Sequence, residues 1–105
     1  MLVGHSYGGV VSMEAGNDPK VVGRVYVAAF APDAGESASL LGASAAPSPL
    51  GMELRPYQQD FLRITEKGVK ESFAQDLSDS EKDVVFATQS PTAGAALGAS
   101  VTKPA

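Results

Sequence analysis

The sequence predicts an α/β fold that contains a parallel sheet. Two apolar segments, residues 2–3 and 23–30, flank a glycine-rich turn and a stretch with helical character. This order of strand, helix and strand is that of a βαβ unit, and a nearly continuous apolar run is typical of a strand in a buried parallel sheet. Because the composition changes afterwards, we expect a partial α/β core over residues 1–33 and a mostly helical lid or cap over residues 34–105.

The first predicted strand runs into a G-x-S-x-G motif. Residues 4–9 read GHSYGG, which is the form of a nucleophile elbow, a sharp turn between a strand and a helix that exposes a serine hydroxyl. The backbone at such a serine is strained by about 1–3 kcal/mol. We expect Gly4 and Gly8 to approach each other too closely for a Cβ on either residue. Gly9 would let the helix start close to neighbouring strands.

The motif makes Ser6 a candidate nucleophile. The backbone N–H of Tyr7, at the start of the helix, would face the oxygen that becomes negative during attack, and the helix dipole would favour that charge. The alternative is a structural glycine turn with an incidental serine. A phosphate-binding loop is disfavoured, because neither G-x-x-x-x-G-K-[ST] nor G-x-G-x-x-G occurs at this turn.

The helix and the second strand follow directly. The helix should extend from Tyr7 to about Ala15, where residues 16–19 read GNDP and favour a stop. A lone βαβ unit leaves apolar sheet surface uncovered, since parallel strands are normally buried on both faces. With only three residues before Gly4, the chain begins inside a strand of ordinary length, about 5–6 residues. We therefore expect a fragment, or a chain that needs a partner to complete its sheet.

The other members of a catalytic triad are difficult to find. Serine needs a base, usually a histidine oriented by a carboxylate, and the chain has one histidine, His5. Adjacent strand residues point to opposite sides, so we expect His5 to line the substrate site rather than to act as the base. Asp33 follows the second strand and is the candidate acid. The alternative is that Pro32, Asp33 and Gly35 form a turn.

Residues 34–51 are rich in Ala, Ser, Gly and Pro and predict a flexible connector or a lid loop. Residues 61–65 alternate and predict a short strand. Helices are predicted over residues 66–77, with Thr65 as N-cap, over residues 78–88, where a capping box begins at Ser78, and from Ser90-Pro91 onward.

Composition limits the functional classes. The net charge of −4 and a pI of about 4.7 argue against binding to nucleic acid or an anionic membrane surface. Absence of cysteine excludes a disulfide framework, and a single histidine disfavours a catalytic metal. We expect no cofactor and no metal. No transmembrane segment or signal peptide is recognisable, so the cytoplasm is the default expectation, and the oligomeric state is open.

Residues 2–9 together with residues 25–37, which read VYVAAFAPDAGES, resemble the middle of α/β-hydrolase-fold proteins. They are most similar to bacterial esterases akin to plant salicylate-type esterases and hydroxynitrile lyases. Residues 61–65, 73–77 and 89–92 resemble the helical cap of that branch. The resemblance implies that Ser6 is the nucleophile and that the Tyr7 amide is one oxyanion donor.

The resemblance also implies a function, namely hydrolysis of a small carboxylic ester through an acyl-serine intermediate. A lyase or an acyltransferase that uses the same serine is an alternative, as is an inactive fragment or binding module. In the family the acid commonly follows a later strand, and the histidine lies nearer the C-terminus. Neither position exists in these 105 residues, so we expect this chain to be inactive by itself.

Overall fold

The computed structural model describes all residues, Met1–Ala105. The chain forms two compact units: unit 1 contains Met1–Ala45 and Leu97–Ala105, and unit 2 contains Ala46–Ala96. The first division falls after residue 45, whereas composition predicts one after residue 33, and the C-terminal segment belongs to unit 1.

Unit 1 begins with a strand–helix–strand arrangement. Strand β1 spans Leu2–Ser6, helix α1 spans Gly8–Ala15 and strand β2 spans Arg24–Ala29. β1 and β2 pair in parallel, with Leu2 opposite Arg24. The predicted βαβ order and its parallel sheet are therefore confirmed.

The buried core of unit 1 lies beside α1. Val10 of that helix packs with Ala38 and Val101, and all three are buried. Further apolar side chains pack partly buried against them: Tyr7, Met13, Phe30 and Leu97. The core thus joins the helix to segments that lie far from it in sequence.

The two strands keep much of their apolar surface exposed. The exposed fraction is 68% for Val3, 44% for Val25 and 50% for Val27. The prediction that a lone βαβ unit leaves apolar sheet surface uncovered is confirmed, because α1 covers only one side of a two-stranded sheet.

The connector predicted over residues 34–51 is wrong for part of its length, where helix α2 spans Ala38–Ser44. The Ser37 side chain accepts a hydrogen bond from the backbone N of Leu40 at 3.1 Å and caps the helix. Alanine, serine and leucine in this segment suit a helix once its first turn is capped. Composition alone had favoured a loop.

The C-terminal segment has no helix or strand after Gly98, yet it is fixed to unit 1. Val101 N donates to Glu36 O, and Gly35 N donates to Val101 O, each at 2.9 Å. Ala105 N donates to Met13 O at 3.0 Å. These bonds explain why Val101 belongs to the core of unit 1.

Unit 2 contains a three-stranded antiparallel sheet, of which the sequence predicts one strand. A 3₁₀ turn, Gly51–Glu53, precedes strand β3 (Leu54–Tyr57), and β4 spans Phe61–Ile64. Strand β5 spans Thr92–Ala93, and the order is β3-β4-β5. Only β4 was predicted. Strand β3 is difficult to predict because it contains Pro56, and proline is rare inside strands. It is tolerated here because β3 is an edge strand.

The helices of unit 2 match the predictions unevenly. Helix α3 spans Glu66–Gly68 and continues as a π-helical turn over Val69–Phe73, so the helix expected to residue 77 ends early. Helix α4 spans Asp79–Thr88, and its predicted capping box between Ser78 and Glu81 is confirmed.

The third helix was predicted to begin at Ser90-Pro91, and this start is wrong. Strand β5 occupies that position, and the following helix, α5, spans Gly94–Gly98. The pairing of Thr92 with Leu62 and of Ala93 with Phe61 explains the difference, because it depends on a partner strand that local sequence does not reveal. None of the helices has the length and apolar character that crossing a membrane requires.

Candidate active site

Ser6 lies where the chain reverses from strand to helix. It is the last residue of β1, and α1 begins two residues later. Its φ is 53°, whereas the next residue, Tyr7, has φ −60° and ψ −24°. A positive φ is uncommon for a residue with a side chain and costs about 1–3 kcal/mol. The reversal is therefore concentrated in one strained serine.

The first turn of α1 passes directly over Gly4. An ideal Cβ on Gly4 would lie 2.5 Å from the carbonyl oxygen of Gly8 and 2.9 Å from the backbone N of Gly9. On the other side, a Cβ on Gly9 would overlap the carbonyl oxygen of Phe30, just after β2. Glycine at residues 4 and 9 thus allows the helix to pack against both strands.

The expectation for Gly8 is wrong. A Cβ on Gly8 would have no heavy atom within 4 Å, and Gly8 does not have a positive φ. Its backbone carbonyl faces Gly4, whereas its own Cβ direction leads to open space. The close approach between the two positions therefore requires glycine only at residue 4.

A second strained residue lies on the neighbouring strand. His5 pairs with Val27 but Ser6 pairs with Ala29, so Ala28 is skipped in the register and has φ 42°. This is a β-bulge, a feature that bends a strand and is frequent beside active sites. The sequence does not predict this bulge, because no glycine or proline marks the position.

The strand ends remain joined beyond the bulge. Phe30 N donates to Ser6 O at 3.1 Å. This bond ties the end of β2 to the strained serine itself. The bulge and the turn at Ser6 are therefore parts of one local arrangement.

Tyr7 occupies the N-cap position of α1. The amides at this end of a helix lie at the positive end of its dipole, and no acidic residue is present in the first turn. The local field therefore favours a negative charge near the start of the helix.

His5 and Asp33, the other candidate site residues, are both exposed. His5 lies within β1, one residue before Ser6. Asp33 lies in a turn in which Glu36 N donates to Asp33 O at 3.0 Å and Asp33 N donates to Glu36 Oε2 at 2.8 Å. Gly35 has φ 84° in this turn. The turn that was the alternative for Asp33 is thus present, and it follows the same end of the sheet as Ser6.

An open groove of about 390 Å³ runs along α1 in unit 1. Its lining includes Tyr7, Val10 and Val11 together with Val101 of the C-terminal segment. The lining is mainly apolar, and it includes Tyr7, the residue that follows Ser6. This surface suits an apolar group better than a charged one.

Glu14 marks the far end of this groove. Its carboxylate accepts hydrogen bonds from the Thr102 hydroxyl and, at 2.9 Å, from the Thr102 backbone N. These bonds lower the pKa of Glu14. The ionised carboxylate therefore holds the C-terminal segment against α1.

Comparisons with curated proteins and with solved structures find no match for this chain. A family model described as the alpha/beta hydrolase family matches residues 1–104. The match extends over nearly the whole sequence, including the turn at Ser6 and all of unit 2. This chain therefore belongs to the alpha/beta hydrolase family.

Proposed function

We propose that this chain carries the nucleophile of a serine hydrolase that cleaves small carboxylic esters through an acyl-serine intermediate. The observation that supports this most directly is the φ of 53° at Ser6, at the reversal between β1 and α1. A serine held in a strained strand-to-helix turn is the geometry of a nucleophile elbow. Backbone strain of this kind is frequently part of a mechanism.

In the proposed reaction, Ser6 Oγ attacks the ester carbonyl carbon as a base removes its proton. The carbonyl oxygen becomes negative, and the Tyr7 N–H donates a hydrogen bond to it. The intermediate collapses, the alcohol leaves with a proton, and the acyl group stays on Ser6. Water then attacks the acyl-serine and releases the carboxylic acid.

Two further residues have supporting roles in this reaction. His5 adjoins Ser6 and lines the substrate site. Asp33 is the candidate acid, because it follows the end of the strand that pairs with β1. The apolar groove beside Tyr7 is the proposed position of an apolar substrate group. No cofactor takes part in this chemistry.

The nucleophile assignment is tested by covalent labelling with a fluorophosphonate, followed by mass spectrometry of the peptides. At mildly alkaline pH, hydroxide substitutes for a general base, so labelling reports on the serine and its oxyanion donor. We expect the adduct on Ser6. It should disappear in Ser6→Ala and persist in Ser39→Ala, a matched variant of an exposed serine in α2. An adduct on another serine, or equal labelling of Ser6→Ala, contradicts the proposal.

Turnover is a separate measurement. Hydrolysis of p-nitrophenyl acetate by these 105 residues should be no faster than by Ser6→Ala, because no histidine other than His5 is present to act as the base. A serine-dependent burst that is lost in His5→Gln would instead assign the base to His5.

A further inference from the structure

The sheet of unit 2 brings two arginines together on one face. Arg55 of β3 and Arg63 of β4 are directly opposite in the antiparallel register. Side chains of directly opposite residues lie on the same face, and like charges in such a pair are unfavourable. This face therefore concentrates positive charge.

The two arginines differ in their partners. Arg55 donates to the carbonyl oxygens of Met52 and Leu54 at 2.7 and 2.9 Å, and it lies 3.9 Å from Glu53. Glu53 also accepts a hydrogen bond from Thr65 Oγ1 at 2.6 Å. The carboxylate of Glu53 thus contacts both Arg55 of β3 and Thr65, the residue after β4.

Arg63 takes part in none of the ion pairs of the chain, which join Arg55 to Glu53 and Lys70 to Glu66 and Asp83. Its Nε is buried and has no hydrogen-bond partner among the protein's own groups. A buried donor without an acceptor is unfavourable. A guanidinium has five N–H donors and no acceptor. Only Nε of Arg63 is a buried atom without a partner, so an external acceptor would pair with the two terminal nitrogens.

Two aromatic rings surround this guanidinium. Arg63 Cζ lies 5.0 Å from the ring centroid of Tyr57 and 5.8 Å from that of Phe86. Rings at this distance stabilise the cation and restrict where it can move. They also provide apolar surface beside the guanidinium.

We infer that Arg63 is the centre of a binding site for a small organic carboxylate that carries an aromatic or apolar group. A planar guanidinium pairs with a carboxylate through two parallel hydrogen bonds. Glu53 offsets one of the two positive charges on this face, so a ligand with a single negative charge would balance the other. Tyr57 and Phe86 contact the apolar part of the ligand. All of these residues lie within unit 2, and the inference does not depend on Ser6.

Benzoate is the probe for this site. We expect saturable shifts in the ¹H–¹⁵N spectrum of the full chain, largest around Arg63 and Phe86. Arg63→Gln should weaken binding by about tenfold or more, since hydrogen bonds to charged groups are the stronger class. Arg24→Gln, which removes an exposed arginine in β2 of unit 1, is the matched control and should bind as the unmodified chain does.

Two further ligands test which chemical group the site recognises. Acetate should bind more weakly than benzoate, because it offers little apolar surface to the rings. Inorganic phosphate bound more tightly than benzoate overturns the carboxylate assignment. Absence of saturable benzoate binding, or equal binding by Arg63→Gln, overturns the site itself.

If Arg63→Gln does not fold, Arg63→Lys replaces it, since lysine keeps the charge but lacks the planar fork. Benzoate should raise the Tm of the unmodified chain, as any ligand of the folded state does. It should raise the Tm of Arg63→Lys clearly less. An equal rise in both contradicts the inference.

Discussion

The carbonyl oxygen of Gly8 lies only 2.5 Å from the position that a Cβ on Gly4 would occupy. The first turn of α1 is therefore in direct contact with the backbone of β1 at a residue two positions before Ser6. The glycines of this motif do not contribute equally to that contact, because Gly8 itself has open space where its Cβ would be.

Alanine scanning of the two glycines tests this asymmetry. Gly4→Ala forces the helix away from the strand and should lower the free energy of unfolding by about 1–3 kcal/mol, the usual cost of overpacking. Gly8→Ala should be neutral or stabilising by up to about 1 kcal/mol, since alanine is the better helix former. Chemical denaturation of both variants measures the difference. Equal destabilisation by both would contradict the contact described for Gly4.

The bulge at Ala28 predicts that glycine substitutions at two neighbouring alanines have different effects on stability. Ala28 has φ 42° and is skipped in the register, whereas Ala29 pairs with Ser6 and is not among the residues with positive φ. Glycine removes the steric penalty of a left-handed residue, about 1–2 kcal/mol, but loses more chain entropy on folding, about 0.5–1 kcal/mol.

Ala28→Gly should therefore be neutral or stabilising by up to about 1 kcal/mol. Ala29→Gly should be destabilising by about 0.5–1 kcal/mol, because it has only the entropic penalty. Thermal unfolding of the two variants provides the comparison. A bulge that is absent in solution would make both substitutions destabilising.

The contact between Glu14 and Thr102 predicts a pH dependence. Hydrogen bonds from the Thr102 hydroxyl and amide lower the pKa of Glu14. A carboxyl whose pKa is lower in the folded state contributes stability above its ordinary pKa, and loses it as the pH falls through the folded value. Stability should therefore fall as the pH drops below the ordinary glutamate pKa of about 4.3.

Glu14→Gln should reduce the slope of unfolding free energy against pH in this acidic range. The Thr102 amide resonance should titrate in the unmodified chain, because its acceptor gains a proton. Glu71→Gln, which alters an exposed carboxylate of unit 2, is the control and should leave the Thr102 titration unchanged. An invariant Thr102 resonance through the acidic range would show that the contact is not formed.

Local features were predicted well from the sequence. The capping box at Ser78 involves residues three positions apart, and both of its hydrogen bonds are present. The ion pair between Glu66 and Lys70, at 2.7 Å, is equally local, because the two residues are four positions apart. Such features depend on neighbours along the chain, so their residue types are sufficient to predict them.

Features that depend on pairing were predicted poorly. Strand β5 has two residues and exists because it pairs with β4. The bulge at Ala28 exists because β1 and β2 differ in register. No residue type at either position indicates the feature in the sequence. Strand pairing is decided by partners that are distant in sequence.

By itself, the sequence determined the order of strand, turn and helix around Ser6, because glycine placement and apolar runs act over a few neighbouring residues. Only the tertiary structure decided which glycine the turn requires, where Ala28 is forced into a left-handed conformation, and that Arg55 and Arg63 share a face. These three features depend on segments that are distant in sequence. Which atoms collide, which residues pair and which charges become neighbours is decided only when the backbones pack together.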